Sequence, residues 1–275
     1  MKIIKPNVIE LKQTDLFKHI ELCGRTCYKS EDRITEGSAE KFVNMLRSHA
    51  HGAMLEHGTV YLTIPNDKVK DWVAGYYIEY GKLACETWLK FIRELPYSKC
   101  LKTSNNYYIT TNYRVIVEND LEDLIDLFGS VYTEYHPKRR TFKITCNRGA
   151  SHEFVRHRVF SFAQESQRYC NYSKDKFSNE IKFIEPTALS NIGDKESQNY
   201  AIWYESCANA EVDYLAMIKN GATPQEARDI LPNACATELI MTGFESDWDH
   251  FFELRCAKDA HPQAQEIANR IKEIF

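Results

Sequence analysis

The chain has 275 residues, 43% of them hydrophobic and 27% charged, with a formal net charge of −4. This is an ordinary globular composition, and its mild acidity argues against nucleic-acid binding through bulk charge. No apolar run reaches the roughly 18–20 residues that cross a bilayer, and the start, MKIIKPNVIELKQ, lacks the apolar core of a secretory signal. A cytoplasmic protein without a membrane segment is expected.

In chain order, Leu16, Ile20 and Cys23 predict a helix over residues 13–24. Phe42, Met45 and Leu46 predict a second from Ser38 to His49. A histidine-rich stretch (His49, His51, His57) leads into an alternating strand from Thr59 to Ile64. Residues 66–95 read as one or two helices whose Trp72, Tyr76, Tyr77 and Tyr80 belong to a core. The segment from Tyr107 to Val117 reads as the clearest strand, followed by a helix over Asp120–Tyr132 and a strand over Arg140–Cys146. From Gly149 the pattern is helical through Arg158, then irregular and polar to about Ser173. A long helix spans Glu196–Asn220. Thr223, Pro224 and Glu226 spell a capped helix start. A strand over Ala236–Gly243, a helix from Ser246 to about Cys256 and a last helix over Pro262–Ile274 complete the chain. No Pro, Gly or Ser linker and no internal repeat interrupts it. The expected fold is therefore one α+β domain over 1–275, with a central mixed or antiparallel sheet flanked by helices.

Nine scattered cysteines, odd in number and without a CxxC pair, read as reduced thiols rather than a disulfide or metal framework. His49 and His51 lack the i,i+4 spacing of a helical metal pair, and no metal site is expected.

Chemistry concentrates between residues 148 and 172. Arg148, Arg156, Arg158 and Arg168 lie there with Ser161, Ser166 and Tyr169. Guanidinium forks match phosphate oxygens and planar carbonyl edges. Phe154, Val155, Val159, Phe160 and Phe162 alternate with them, so the segment is expected to be half-buried rather than a solvated face.

Arg156-His157-Arg158, seven residues and then Ser166 resembles the RHR-x7-S signature of flavin-dependent thymidylate synthases, continued by Arg168-Tyr169. His51 with Glu56-His57 upstream, and Ala227–Pro232, Phe251–Arg255 and Ala260–Ile267 downstream, follow that family's order. The resemblance implies an FAD enzyme that methylates dUMP with 5,10-methylenetetrahydrofolate and NADPH, as a homotetramer with shared active sites. It implies FAD contacts for His51, Arg156, His157, Arg158, Gln164 and His250. It implies dUMP contacts for Glu153, Arg156, Ser166, Arg168, Arg228 and Arg255, with Arg168, Arg228 and Ser166 closest to the chemistry. The chain departs from the family pattern at Cys27, Glu153, Ala163 and Gln164, and at Phe244 and Ser246, where an Asn-x-Arg pair is usual. Residues 66–140 look like an insertion relative to compact members. Cys170 and Cys235 lack the Pro-Cys context of a uracil-attacking thiolate. The altered flavin positions leave an FAD- and nucleotide-binding relative with altered or lost methyl transfer as the alternative, and a non-enzymatic RNA-binding module as a more distant one.

Overall fold

The structure, a computed structural model, describes residues 1–68, 94–174 and 177–275. Its first elements are strands β1 (Lys2–Ile4) and β2 (Asn7–Glu10), helices α1 (Leu16–Tyr28), α2 (Ser38–Ser48) and α3 (Gly52–Leu55), and strand β3 (Thr59–Pro65). Strands β4 (Lys99–Lys102) and β5 (Asn106–Asn112), helices α4 (Tyr113–Glu118) and α5 (Glu122–Phe128), strand β6 (Arg139–Asn147) and helix α6 (Arg148–Phe154) follow. The chain continues through β7 (Ser161–Gln164), β8 (Lys182–Ile184), α7 (Gln198–Lys219) and α8 (Pro224–Ala227). It ends with β9 (Ala236–Phe244), α9 (Glu245–Arg255) and α10 (Pro262–Ile274). The α+β expectation holds, with the strands divided among three sheets.

Two compact units emerge, one of residues 1–12, 22–34 and 141–275 and the other of residues 13–21 and 35–140. In the first, strands run in the order β2-β6-β9-β7, with β2 antiparallel to β6 and β7 antiparallel to β9. Strand alternation turns Phe142, Ile144 and Cys146 of β6 inward, where they meet Trp248 and Phe251 of α9 and Ile267 and Ile271 of α10. A second core gathers Phe183 of β8 with Cys207 and Tyr214 of α7, and β1 pairs parallel to β8. In the other unit β3, β5 and β4 form an antiparallel sheet, with Leu62, Ile64 and Ile109 fully buried.

Most elements fall where the sequence predicts them, and α10 has the predicted bounds. Two do not. The strand expected to reach Val117 stops at Asn112, whose side chain accepts from the Val115 backbone N–H at 3.1 Å and starts α4 instead. The β-branched run Val115-Ile116-Val117 is thus helical, a case of tertiary burial overriding propensity. The stretch expected to be irregular after Arg158 contains β7, because Ser161 to Gln164 pair with Thr242 to Leu239 of β9. The expected core aromatics at 72, 76, 77 and 80 lie outside the described residues. The eight described cysteines are free thiols.

Candidate functional site

Helix α6 starts on a side-chain cap, with the Asn147 Oδ1 accepting from the Ala150 N–H at 2.7 Å. It buries Ala150, Ser151 and Phe154, and the chain then continues with His157 and Phe160 also inward. This three-residue beat leaves Val155, Arg156, Arg158 and Val159 exposed on either side of a buried imidazole. The half-buried character expected of the segment is present in this alternation.

His157 is held by Arg255 from the last turn of α9. The Arg255 Nε donates to the His157 Nε2 at 2.9 Å, Nη1 donates to the Glu153 carboxylate at 2.7 Å, and Nη2 donates to the Glu153 carbonyl at 2.8 Å. Accepting at Nε2 leaves the imidazole proton on Nδ1. Burial, with the charges of Arg255 and His250, lowers the His157 pKa from 6.5 to about 4, so the ring is neutral. Its faces meet Phe251 at 5.1 Å and His250 at 6.4 Å between ring centroids. His250 itself is exposed and lies 3.2 Å from the Glu253 carboxylate.

Beyond the turn, the Gln164 amide donates to the Ser151 hydroxyl at 2.8 Å and reaches Thr237 at 3.3 Å. The Ser166 N–H donates to the Cys27 carbonyl at 3.0 Å, fixing the turn that presents Arg168 and Tyr169. Arg168 lies 5.2 Å from the exposed Tyr169 ring, which is 5.8 Å from Tyr28. Arg228 opens a short 3-10 turn after α8, and its Nε is 3.9 Å from its neighbour Asp229. No hydrogen bond or ion pair joins it to Ser166 or Arg168 among the described residues. His51, in the other unit, is exposed just before α3, with its ring 6.1 Å from that of His49.

The donor set suits an anionic, planar ligand. Arg156 is exposed and 3.7 Å from Glu153, whereas Arg158 and Arg168 have no carboxylate partner among the described residues. Arg148 carries a buried Nη1 without a hydrogen-bond partner. Val155, Val159 and Tyr169, which neighbour these arginines in sequence, are exposed and add apolar surface of the kind a ring system with phosphates requires. Arg255 differs, since its charge is already matched by Glu153 and three of its five N–H donors are committed. Cys27 and Cys235 offer no competing thiolate. Burial pushes Cys235 up to about 12 and Cys27 to about 11, so both stay protonated thiols. Among the described residues no cluster of three His, Cys, Asp or Glu side chains could hold a metal ion, and no helix is long and apolar enough to cross a membrane.

Sequence reasoning missed a charged group beside this segment. Ser161, Ala163 and Glu165 share the inward parity of β7 and its extension, so Glu165 is buried against Glu238 of β9. With Lys29, Tyr172 and Thr237 these side chains line a cavity of about 190 Å³. Reading 161–165 as a strand would have shown it, because an inward carboxylate in a strand demands a cation.

The chain is similar to several known proteins. A flavin-dependent thymidylate synthase of Geobacter sulfurreducens is 35% identical over 122 residues, 44% of this chain and 49% of its own. One of Pyrococcus furiosus is 30% identical over 167 residues, 60% of this chain and 66% of its own. The chain thus spans about half to two thirds of the length of these curated relatives. A crystal structure of the UMP/dUMP methylase PolB from Streptomyces cacaoi, bound with 5-Br dUMP, aligns over 100% of this chain and 91% of that one, with a TM-score of 0.46 and 16% identity. The family model described as thymidylate synthase complementing protein matches residues 138–275, half of the chain and the half that holds the arginine segment. The chain belongs to the thymidylate synthase complementing protein family.

Proposed function

We propose that the chain is a flavin-dependent thymidylate synthase, converting dUMP to dTMP with 5,10-methylenetetrahydrofolate as carbon donor and NADPH as reductant. One observation carries this reading. The family match covers 138–275, and within it the Arg156-His157-Arg158 segment exposes two guanidinium groups around a neutral, clamped imidazole.

Bound FAD, reduced by NADPH, would supply the two electrons that turn the transferred methylene into a methyl group. The chain's task is binding and orientation. Arg156, His157, Arg158, Gln164, His250 and His51 are assigned to the flavin. Arg156 and Arg158 match anionic oxygens. His157 keeps the backbone between them fixed, because its ring is packed on Phe251 and bonded to Arg255. Glu153, Ser166, Arg168, Arg228 and Arg255 are assigned to dUMP, with Arg156 shared between the ligands. Arg168 and Arg228 draw electron density from the uracil carbonyls, making C5 more reactive, and the Ser166 hydroxyl fixes the ring. Glu153 replaces the family's usual Gln, so a nucleotide anion reaching Arg255 competes with a carboxylate. The working enzyme is read as a cytoplasmic homotetramer.

The test is the visible absorption spectrum of the purified chain after incubation with FAD and desalting. Retained flavin bands that NADPH bleaches in the presence of dUMP, with dTMP formed once methylenetetrahydrofolate is added, are the expected result. A protein that retains no flavin would overturn the cofactor assignment. Flavin that bleaches without dTMP formation would overturn methyl transfer.

A further inference from the structure

We propose that Lys29, far from the arginine segment in sequence, is a positioning residue for residues Gln164–Arg168, tying them through the buried Glu165 and the half-buried Glu238. This rests on the reading of Ser166 and Arg168 as nucleotide contacts.

The backbone supplies the first observation. Helix α1 ends with the Lys29 N–H donating to the Thr26 carbonyl at 3.4 Å and the Ser30 N–H to the Arg25 carbonyl at 3.0 Å. That pair of bonds defines a helix end whose C′ residue is left-handed, a place usually held by glycine. Here it is Lys29, at φ +49°. A side chain at such an angle is strained, and strain of this kind persists only where the surroundings over-determine it.

The side chain supplies the second. The Lys29 ammonium, largely shielded from solvent, is ion-paired with Glu238 and lies 3.7 Å from Glu165. Lys143 adds a second cation to Glu238 at 2.7 Å and approaches Glu31 at 3.7 Å. Glu165 accepts from the Tyr172 hydroxyl at 3.3 Å and from the Glu238 N–H at 3.3 Å, and its own N–H donates to the Glu238 carbonyl at 2.8 Å. Burial opposes the charge on Lys29, but Glu165 and Glu238 outweigh it and raise its pKa, so the ammonium is kept. The Glu165 pKa is raised as well, by burial and by Glu238 against the pull of Lys29, which for a carboxyl disfavours the charge. Removing Lys29 would leave Glu238 with Lys143 and take from Glu165 the cation it faces, beside a second carboxylate.

The third observation is where this tie acts. Glu165 stands between Gln164 and Ser166, and the next N–H along, that of Ser166, donates to the carbonyl of Cys27, two residues before Lys29. Tyr28, next to Cys27, also packs against Tyr169, three residues beyond Ser166, at 5.8 Å between ring centroids. Lys29 therefore fixes, from the end of α1, both the backbone that carries Ser166 and the turn that carries Arg168. Lys29 itself is not among the residues assigned to the nucleotide.

The experiment compares the full chain with Lys29→Gly, Lys29→Met and Lys29→Arg. Lys29→Gly suits the left-handed backbone, so it removes the ammonium while relieving the turn, and it decides the matter if Lys29→Met fails to fold. Calorimetric titration with dUMP should show affinity lowered about ten-fold or more in Lys29→Gly, with kcat at saturating dUMP changed far less than KM, and with affinity restored to within a few-fold in Lys29→Arg. Hydrogen exchange at residues 166–170 should quicken in Lys29→Gly, with that of α9 unchanged. Wild-type dUMP affinity and unchanged exchange in Lys29→Gly would overturn the proposal, and failure of Lys29→Arg to restore binding would overturn its electrostatic basis. If the wild-type chain itself binds no dUMP, the nucleotide reading fails. The exchange comparison still decides whether Lys29 orders the segment.

Discussion

His157 is legible in the sequence as a motif residue, but its physical state is not. It is neutral because it is buried, with Phe251 among its neighbours, and because the charge of Arg255, 98 positions away, disfavours the protonated ring. A pKa depressed from 6.5 to about 4 means that the unfolded chain takes up a proton before the folded one does. Stability from this group is present above pH 6.5 and is lost as the pH falls toward 4. His19 is depressed to about 4 as well, by burial and by Arg139, and acts in the same direction. Urea midpoints measured at pH 7 and pH 5 should therefore fall on acidification, and His157→Gln should fall less. Equal falls in the two proteins would show that His157 titrates normally. The candidate site divides along similar lines. Arg156, Arg158, Ser166 and Arg168 could be singled out because they are close in sequence and their side chains are donors. Lys29, Glu165 and Glu238 could not, because nothing local in the chain says which inward carboxylate meets which cation.

Elements with local signals were readable. The Thr223 capping box forms, with the Glu226 carboxylate accepting from the Thr223 N–H at 2.8 Å and its hydroxyl at 2.7 Å. The helix it opens is short, since Arg228 begins a 3-10 turn. Strand β7 was unreadable because its four residues carry no β-branched side chain and owe their conformation to β9. The close approach of that region to β9 is visible at Gly243, where an added Cβ would lie 2.3 Å from the Phe160 ring. Gly243→Ala should destabilise the protein by about 1–3 kcal/mol through overpacking against a ring that is itself wedged on Trp248. A lowered denaturant midpoint with an unchanged slope is the expected signature, and an unchanged midpoint would mean that Phe160 can move aside freely.

At the scale of the whole molecule, the chain passes between its two units four times, near residues 12, 21, 34 and 140. The run of helical and strand patterns predicted an α+β protein correctly, but it could not predict this path, which depends on pairings between segments more than a hundred residues apart. Strand β2 pairs with β6, and β1 with β8, so residues before position 12 complete sheets built otherwise from the second half of the chain. The family-matched residues 138–275 therefore do not make up either unit alone. Take away residues 1–12 and β6 and β8 each present a bare row of amide and carbonyl groups, a template for another chain. Such a truncated protein should precipitate when expressed alone and be rescued in trans by a synthetic peptide of residues 1–12, in the manner of donor-strand complementation. A truncated chain that stays monodisperse without the peptide would mean that both edges tolerate water.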